Sequence, residues 1–186
     1  MANRLTKIVT RGGDKGETSL GDGTRLPKSD PRIGLLGEVD ELNCWIGVVI
    51  AQGAGEAVRE TLIGVQHDLF DLGGALSVPG APMLSEVHLA RLDAAAQALN
   101  ADLPPLKEFI LPGGAPLIAW LHVARAVARR VERGAAALLS CNAEGAQALA
   151  YLNRLSDYLF IAARAEARRL GAPETLWEKG KSASSA

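Results

Sequence analysis

Residues 117–139 read LIAWLHVARAVARRVERGAAALL. Within them Leu117, Leu121, Ala124, Val127, Val131 and Leu138 return every three or four residues, the period that gathers side chains on one side of an α-helix. The same register sets Arg125, Arg129, Glu132 and Arg133 at i, i+4, i+7 and i+8, along a different side. The segment reads as a long helix, from about Pro116 to Leu139, with one apolar and one cationic stripe.

Outward from it the pattern repeats. Residues 32–52 place Leu35, Val39, Leu42, Ile46 and Val49 at helical spacing, from about Ile33 to Gln52. Residues 56–76 do so with Val58, Leu62, Val65, Leu69 and Leu72, and the Pro-Gly-Ala-Pro stretch at 79–82 ends that helix. Ser85 is expected to cap a third helix, approximately 86–101. Residues 102–116 form a loop with a short apolar insert. Asn142 or Glu144 opens a last long helix, which runs to about Leu170 and is stopped by Gly171 and Pro173. Upstream, residues 8–31 hold five glycines and two prolines with too little alternation for a strand, and read as a polar, glycine-rich loop. The organisation expected is all-α: an N-terminal loop over 1–32, a five-helix bundle over 33–172 and a tail over 173–186. The tail after Trp177 is predicted to be disordered.

Composition narrows the class. The chain has 186 residues, of which 48% are hydrophobic but only 4% aromatic, which suits close-packed helices better than a β-sandwich. Cys44 and Cys141 are 97 residues apart, with no CxxC and no Cys/His cluster, so neither a disulfide framework nor a side-chain metal site is expected. No apolar run approaches a membrane span and no signal-peptide core is present, which points to a soluble, cytoplasmic protein. The net charge of −1 conceals a segregation: +2 over residues 1–30, −7 over 31–124 and +4 over 125–186. Near-zero total charge argues against a nucleic-acid footprint over the whole surface. Eight of the fourteen arginines lie between Arg125 and Arg169. Arginine in that number suits forked hydrogen bonding to phosphate or carboxylate, or a solvated helix face.

Three groups of residues stand out. Gly12, Gly13 and Gly16, with Arg11, Lys15, Thr18 and Ser19, form a stretch whose backbone N–H groups could cradle a polyanion, although GGDKG alone reads as a surface turn. Arg125, Arg129 and Arg133 repel one another on a shared face. An anionic ligand or partner carboxylates would relieve them, and their register favours phosphate chemistry. Asn153 and Asp157, like Asp40 and Asn43, either orient neighbouring arginines or belong to a buried hydrogen-bond network. The histidines are scattered, without HExxH, and there is no GxSxG elbow. Any chemistry here would rest on binding and charge stabilisation.

The blocks TRGGDKGETS, PKSD, VDELN, QHDLFDLGG, FILPGG, HVARAVARRVER and YLNRLSDYLFIAAR, in that order over roughly residues 8–170, closely resemble the corrinoid (ATP:cob(I)alamin) adenosyltransferases of the trimeric, propanediol-utilisation type. The resemblance implies a homotrimer with active sites between subunits. It implies transfer of the 5′-deoxyadenosyl group of ATP to the cobalt of cob(I)alamin, with Mg²⁺, giving adenosylcobalamin and triphosphate. It assigns ATP binding to Thr10, Arg11, Gly12, Gly13, Thr18, Ser19 and Lys28 of the loop, to Arg129, Arg130, Val131, Glu132 and Arg133 of the arginine helix, and to Asn153. An intersubunit salt bridge falls on Asp40 and Arg125, and a phenylalanine that excludes the lower axial base of cob(II)alamin falls on Phe109. A reductase and an adenosylcobalamin-dependent mutase are the implied protein partners. Three positions depart from the pattern: Gly12 stands where Thr is usual, Gly21 where Phe is common, and Leu36 where an aromatic is common. Leu36 reads as packing. A carrier without turnover and a purely structural oligomer are the alternatives, and the joint presence of Arg125, Arg129, Arg133, Asn153 and Phe109 speaks against the second.

Overall fold

Asp30 accepts the Arg32 N–H at 2.8 Å, and Pro31 follows it at a position where a missing N–H removes no helical hydrogen bond. The first helix, α1 (Pro31–Ala51), therefore begins two residues before its apolar period does. After it come α2 (Glu56–Ser77), α3 (Glu86–Asn100), α4 (Pro116–Leu139) and α5 (Ala143–Arg169). The structure, a computed structural model, describes residues 9, 11–78, 80–82, 84–139 and 143–183, except the side chains of 143 and 144. All five expected helices are present, with ends within two residues of those read from the sequence. The proposed caps Asn142 and Glu144, and Cys141, lie outside the described residues or side chains. Ser85 stands at the N-cap of α3, and its N–H donates to His88 Nδ1 at 3.0 Å, so a histidine fills the role that Glu plays in a capping box. At the other end of the bundle, Gly171 closes α5 with φ +63, and Ala172 N–H returns to Ala167 O at 2.9 Å.

The N-terminal segment departs from expectation. It is a β-hairpin, β1 (Glu17–Ser19) paired antiparallel with β2 (Arg25–Pro27), with Thr18 opposite Leu26. Strands of three residues carry no readable alternation. What makes them is a turn in which Leu20 N–H reaches Thr24 O at 2.8 Å and Asp22 accepts the Thr24 N–H at 2.8 Å. In the tail, Lys181 Nζ meets Glu178 at 2.7 Å beside a 3₁₀ turn at Lys181–Ala183, and residues 184–186 lie outside the described residues.

Most neighbouring helices run antiparallel, as their contacts show, whereas α3 and α5 run parallel, with Asp93 paired to Arg154 and the Asp102 carbonyl accepting from Arg168. Arg32 caps the α2 carbonyl of Leu76 at 3.0 Å while Asn43 and Gln66 exchange side-chain to backbone bonds farther along. Gly134 of α4 lies against Leu35 and Glu38 of α1, and Trp120 stacks on Trp45 with ring centroids 5.2 Å apart. Glu166 of α5 accepts the Gly55 N–H at the start of α2 at 3.0 Å. The bundle thus has an upper end, where α1 begins and α2 and α4 finish, and a lower end, where α4 begins and α5 finishes. Between them lies a core of Leu, Val, Ile and Ala, with Tyr151 and Tyr158 wholly buried. Small residues line the α4–α5 seam (Ala124, Ala128 and Ala135 facing Ala148, Ala162 and Ala163) and let those helices approach closely. Among the described residues no helix is long and apolar enough to cross a membrane.

Candidate active site

The arginine stripe on α4 divides by partner. Arg130 is neutralised by α1, where it pairs with Glu41 and lies 3.9 Å from Glu38. Arg125, Arg129 and Arg133 have no carboxylate partner among the described residues. Arg129 and Arg133 are exposed, and Arg133 Nη1 donates to the Arg129 carbonyl at 2.9 Å. Arg125 is half-buried, and its Nε has no hydrogen-bond partner among the described residues. Burial, and then the neighbouring Arg129 cation, hold its pKa below the ordinary guanidinium value. Glu132 accepts from Asn153 Nδ2 at 3.0 Å, so two of the expected nucleotide contacts meet across α4 and α5. The Val131 side chain is wholly buried in the core.

The hairpin sits at the upper end of the bundle. Gly21 N–H donates to Ser77 O at 2.8 Å and Ser77 Oγ at 3.0 Å, at the close of α2. A Cβ on Gly21 would stand 2.7 Å from Val78 Cγ2, so this close docking needs glycine in place of the expected aromatic. Arg25 holds the loop together, reaching Gly12 O at 3.2 Å, Glu17 at 3.1 Å and Ser19 Oγ at 3.4 Å. Lys28 N–H donates to Gly16 O at 2.8 Å, and a Cβ on Gly13 would lie 3.0 Å from Lys28 Nζ, so Gly13 and Lys28 are neighbours. Arg11 holds φ +59, a left-handed conformation that costs a residue with a side chain roughly 1 kcal/mol. Thr18 is half-buried. Thr10 lies outside the described residues.

Phe109 lies at the opposite end. Its loop leads into the start of α4, and at 1.5 Å per residue the helix carries the chain about 20 Å from Pro116 to Arg129. The ring is 77% exposed. Nearby, a recess of about 150 Å³ is lined by Ile110, Gly113, Gly114, His122, Arg164 and Glu174. His122 is buried in it with Nδ1 unpartnered among the described residues.

Asp40 faces elsewhere again. It opens on a recess of about 990 Å³ between α1 and α2, shared with Leu36, Asn43, Phe70, Gly73 and Gly74. Arg125 is not among its partners within the chain, and the two occupy different faces of the bundle. Two features escaped the sequence reading. Phe70 is 71% exposed over this recess, and an exposed aromatic inside the QHDLFDLGG block is the signal that could have singled it out. Leu36 packs on the core, as read, and also lines the recess.

Residues 8–166 match the family model described as cobalamin adenosyltransferase. A protein named cobalamin adenosyltransferase from Cupriavidus metallidurans is 48% identical over 96% of this chain and 98% of its own length. The human corrinoid adenosyltransferase is 37% identical over 95% of this chain and 75% of its own. Among solved structures, a phenylalanine-to-alanine variant of the PduO-type ATP:corrinoid adenosyltransferase from Lactobacillus reuteri, complexed with cobalamin and ATP, superposes with a TM-score of 0.86. It is 35% identical and covers 93% of this chain and 100% of its own. An arginine-to-lysine variant of the same enzyme, complexed with ATP, gives 0.84 at 36% identity, covering 92% of this chain and 100% of its own. On its ordered motifs, its bundle and these likenesses, the chain belongs to the cobalamin adenosyltransferase family.

Proposed function

We propose that this protein transfers the 5′-deoxyadenosyl group of ATP to the cobalt of cob(I)alamin. The observation that carries the reading is the α4 stripe: three guanidinium groups without carboxylate partners among the described residues, two of them open to solvent, in a chain that also carries a glycine-rich hairpin at one end of the bundle. Cob(I)alamin is itself a strong nucleophile, so the protein supplies no base. Cobalt attacks C5′, the C5′–O bond breaks, and the electron pair leaves on triphosphate. The task left to the chain is to hold C5′ in line and to stabilise the charge that develops on the leaving group. Arg129 and Arg133 do so with fixed forks, supported by Asn153, Lys28 and the backbone N–H groups of Arg11–Gly13, with Thr10, Thr18 and Ser19 completing the loop. When bound, Mg²⁺ would be held chiefly by the phosphates of ATP and their waters, as that ion usually is, and would share the charge on triphosphate with the cationic and N–H groups.

The active unit in this reading is a homotrimer. Asp40 and Arg125 face different ways in one chain, and each is open to a partner from a neighbouring one. The recess beside Asp40, at about 990 Å³, is large enough to form one wall of a corrin site. Phe109 is the apolar group that excludes the lower axial base and leaves cob(II)alamin four-coordinate and easier to reduce. A reductase that supplies the electron and a mutase that accepts the product complete the reading.

The test is incubation with ATP, Mg²⁺ and chemically generated cob(I)alamin, followed by the visible spectrum of adenosylcobalamin. Arg129→Ala is expected to lower kcat/KM for ATP about a hundredfold, as loss of one preorganised charge donor does, with the far-ultraviolet circular dichroism unchanged. Tight binding of both substrates without turnover by the unaltered chain favours a carrier. A collapse of helicity in Arg129→Ala favours a structural role for the stripe.

A further inference from the structure

The Phe109 backbone is held by a segment from the far end of the chain. Trp177 N–H donates to Phe109 O at 2.7 Å, Leu111 N–H donates to Thr175 O at 2.9 Å, and Ile110 bridges antiparallel to Leu176 between them. So short a pairing cannot hold itself together. It is secured from below by Arg164 of α5, whose side chain is only 6% exposed. Arg164 Nε donates to Glu174 at 3.0 Å, which fixes the holding strand. Its Nη2 donates to Pro104 O at 2.8 Å, which fixes the start of the loop that leads to Phe109. One buried guanidinium therefore ties both chain segments to the same helix. Removing its carboxylate would leave the charge stranded in the recess and free the strand.

We propose that Arg164 and Glu174 are positioning residues for Phe109, setting the height of its ring at the lower face of the corrin. The inference rests on the assignment of Phe109 to that face. Neither residue touches substrate; each acts through the backbone of residues 109–111. A ring displaced by an ångström no longer keeps the axial base away, whereas a reaction begun from cob(I)alamin, which needs no such exclusion, proceeds.

The experiment compares two routes in the full-length protein: cob(II)alamin with a reductant, and pre-formed cob(I)alamin. The spectroscopic signature of four-coordinate Co(II) is recorded alongside. Glu174→Gln is expected to slow the cob(II)alamin route about tenfold and the cob(I)alamin route less than about threefold, to diminish the four-coordinate signal and to leave KM for ATP unchanged. In the Phe109→Ala background the same change is expected to add nothing, because both act on one ring. Equal loss on both routes, no loss, or full additivity with Phe109→Ala overturns the proposal. If Glu174→Gln loosens the fold, Trp177→Pro, which removes the N–H donated to Phe109 O, makes the same comparison with the ion pair intact. Phe109→Ala that spares the cob(II)alamin route overturns the lower-face assignment and the proposal together. Phe109→Ala that impairs it while Glu174→Gln and Trp177→Pro do not overturns the positioning role alone.

Discussion

His122 is 5% exposed on α4, with its ring centroid 6.2 Å from that of Phe160. Burial, and then the Arg125 cation, hold its pKa below the ordinary 6.5, with Glu174 opposing. The folded protein therefore keeps this imidazole neutral at a pH where the unfolded chain would protonate it. Its contribution to stability is complete above the unfolded value and is lost as pH falls through the folded one. The melting temperature of the unaltered protein should decline as pH drops below 6.5, and His122→Gln, which does not titrate, should decline less steeply over that range. Parallel curves would place the acid sensitivity elsewhere. The same neighbourhood explains why Arg125 is the exposed stripe's odd member: its charge is partly desolvated and most in want of a carboxylate from outside the chain.

At the level of elements, Asp68 joins three helices. It is 3% exposed on α2, accepts the Tyr151 hydroxyl of α5 at 2.6 Å and pairs with Arg91 of α3. Burial, and then the Asp68 carboxylate, raise the Tyr151 pKa far above its ordinary value. Asp68→Ala should cost about 2–4 kcal/mol, chiefly through the orphaned hydroxyl, since Arg91 is half exposed and water screens it. Tyr151→Phe should cost about 1–2 kcal/mol. Urea unfolding at constant slope measures both, and an Asp68→Ala midpoint no lower than that of a surface substitution would dissolve the argument. This network also shows what the chain made readable. The helices were legible because Leu62, Val65 and Leu69 repeat a local period that burial enforces. Asp68, in the middle of the same run, looks like any polar residue, because its partners lie 23 and 83 residues downstream. The hairpin was missed for a similar reason: its docking bond joins Gly21 to Ser77, 56 positions away. The arginine stripe was visible from its spacing, but that Arg130 is taken by Glu41 was not, since that pairing depends on how α1 lies against α4.

Across the whole molecule, the groups assigned to one reaction are spread over both ends and separate faces of the bundle. The hairpin stands at the upper end, Arg129 midway along α4, Phe109 at the lower end, and Asp40 over a cleft whose lining does not include Arg125. If neighbouring subunits complete each site, Asp40→Ala and Arg125→Ala should each be inactive alone, yet partly active when co-assembled. In a mixed trimer, the chain that retains Asp40 then meets the chain that retains Arg125 and rebuilds an unaltered junction. Activity that stays absent in verified mixed trimers would put both residues to work within one chain. A last consequence concerns the order of synthesis. Residues 109–111 leave the ribosome long before residues 175–177, and among the described residues no other strand pairs with them, so α4 and α5 can pack while the loop between α3 and α4 still waits. A chain that terminates early, just past the Gly171 turn, would be a finished bundle with a loose wedge. It would be helical but less stable, with the buried Arg164 charge left unpaired, and, if Phe109 guards the lower face as proposed, its further defect would surface when the corrinoid arrived oxidised.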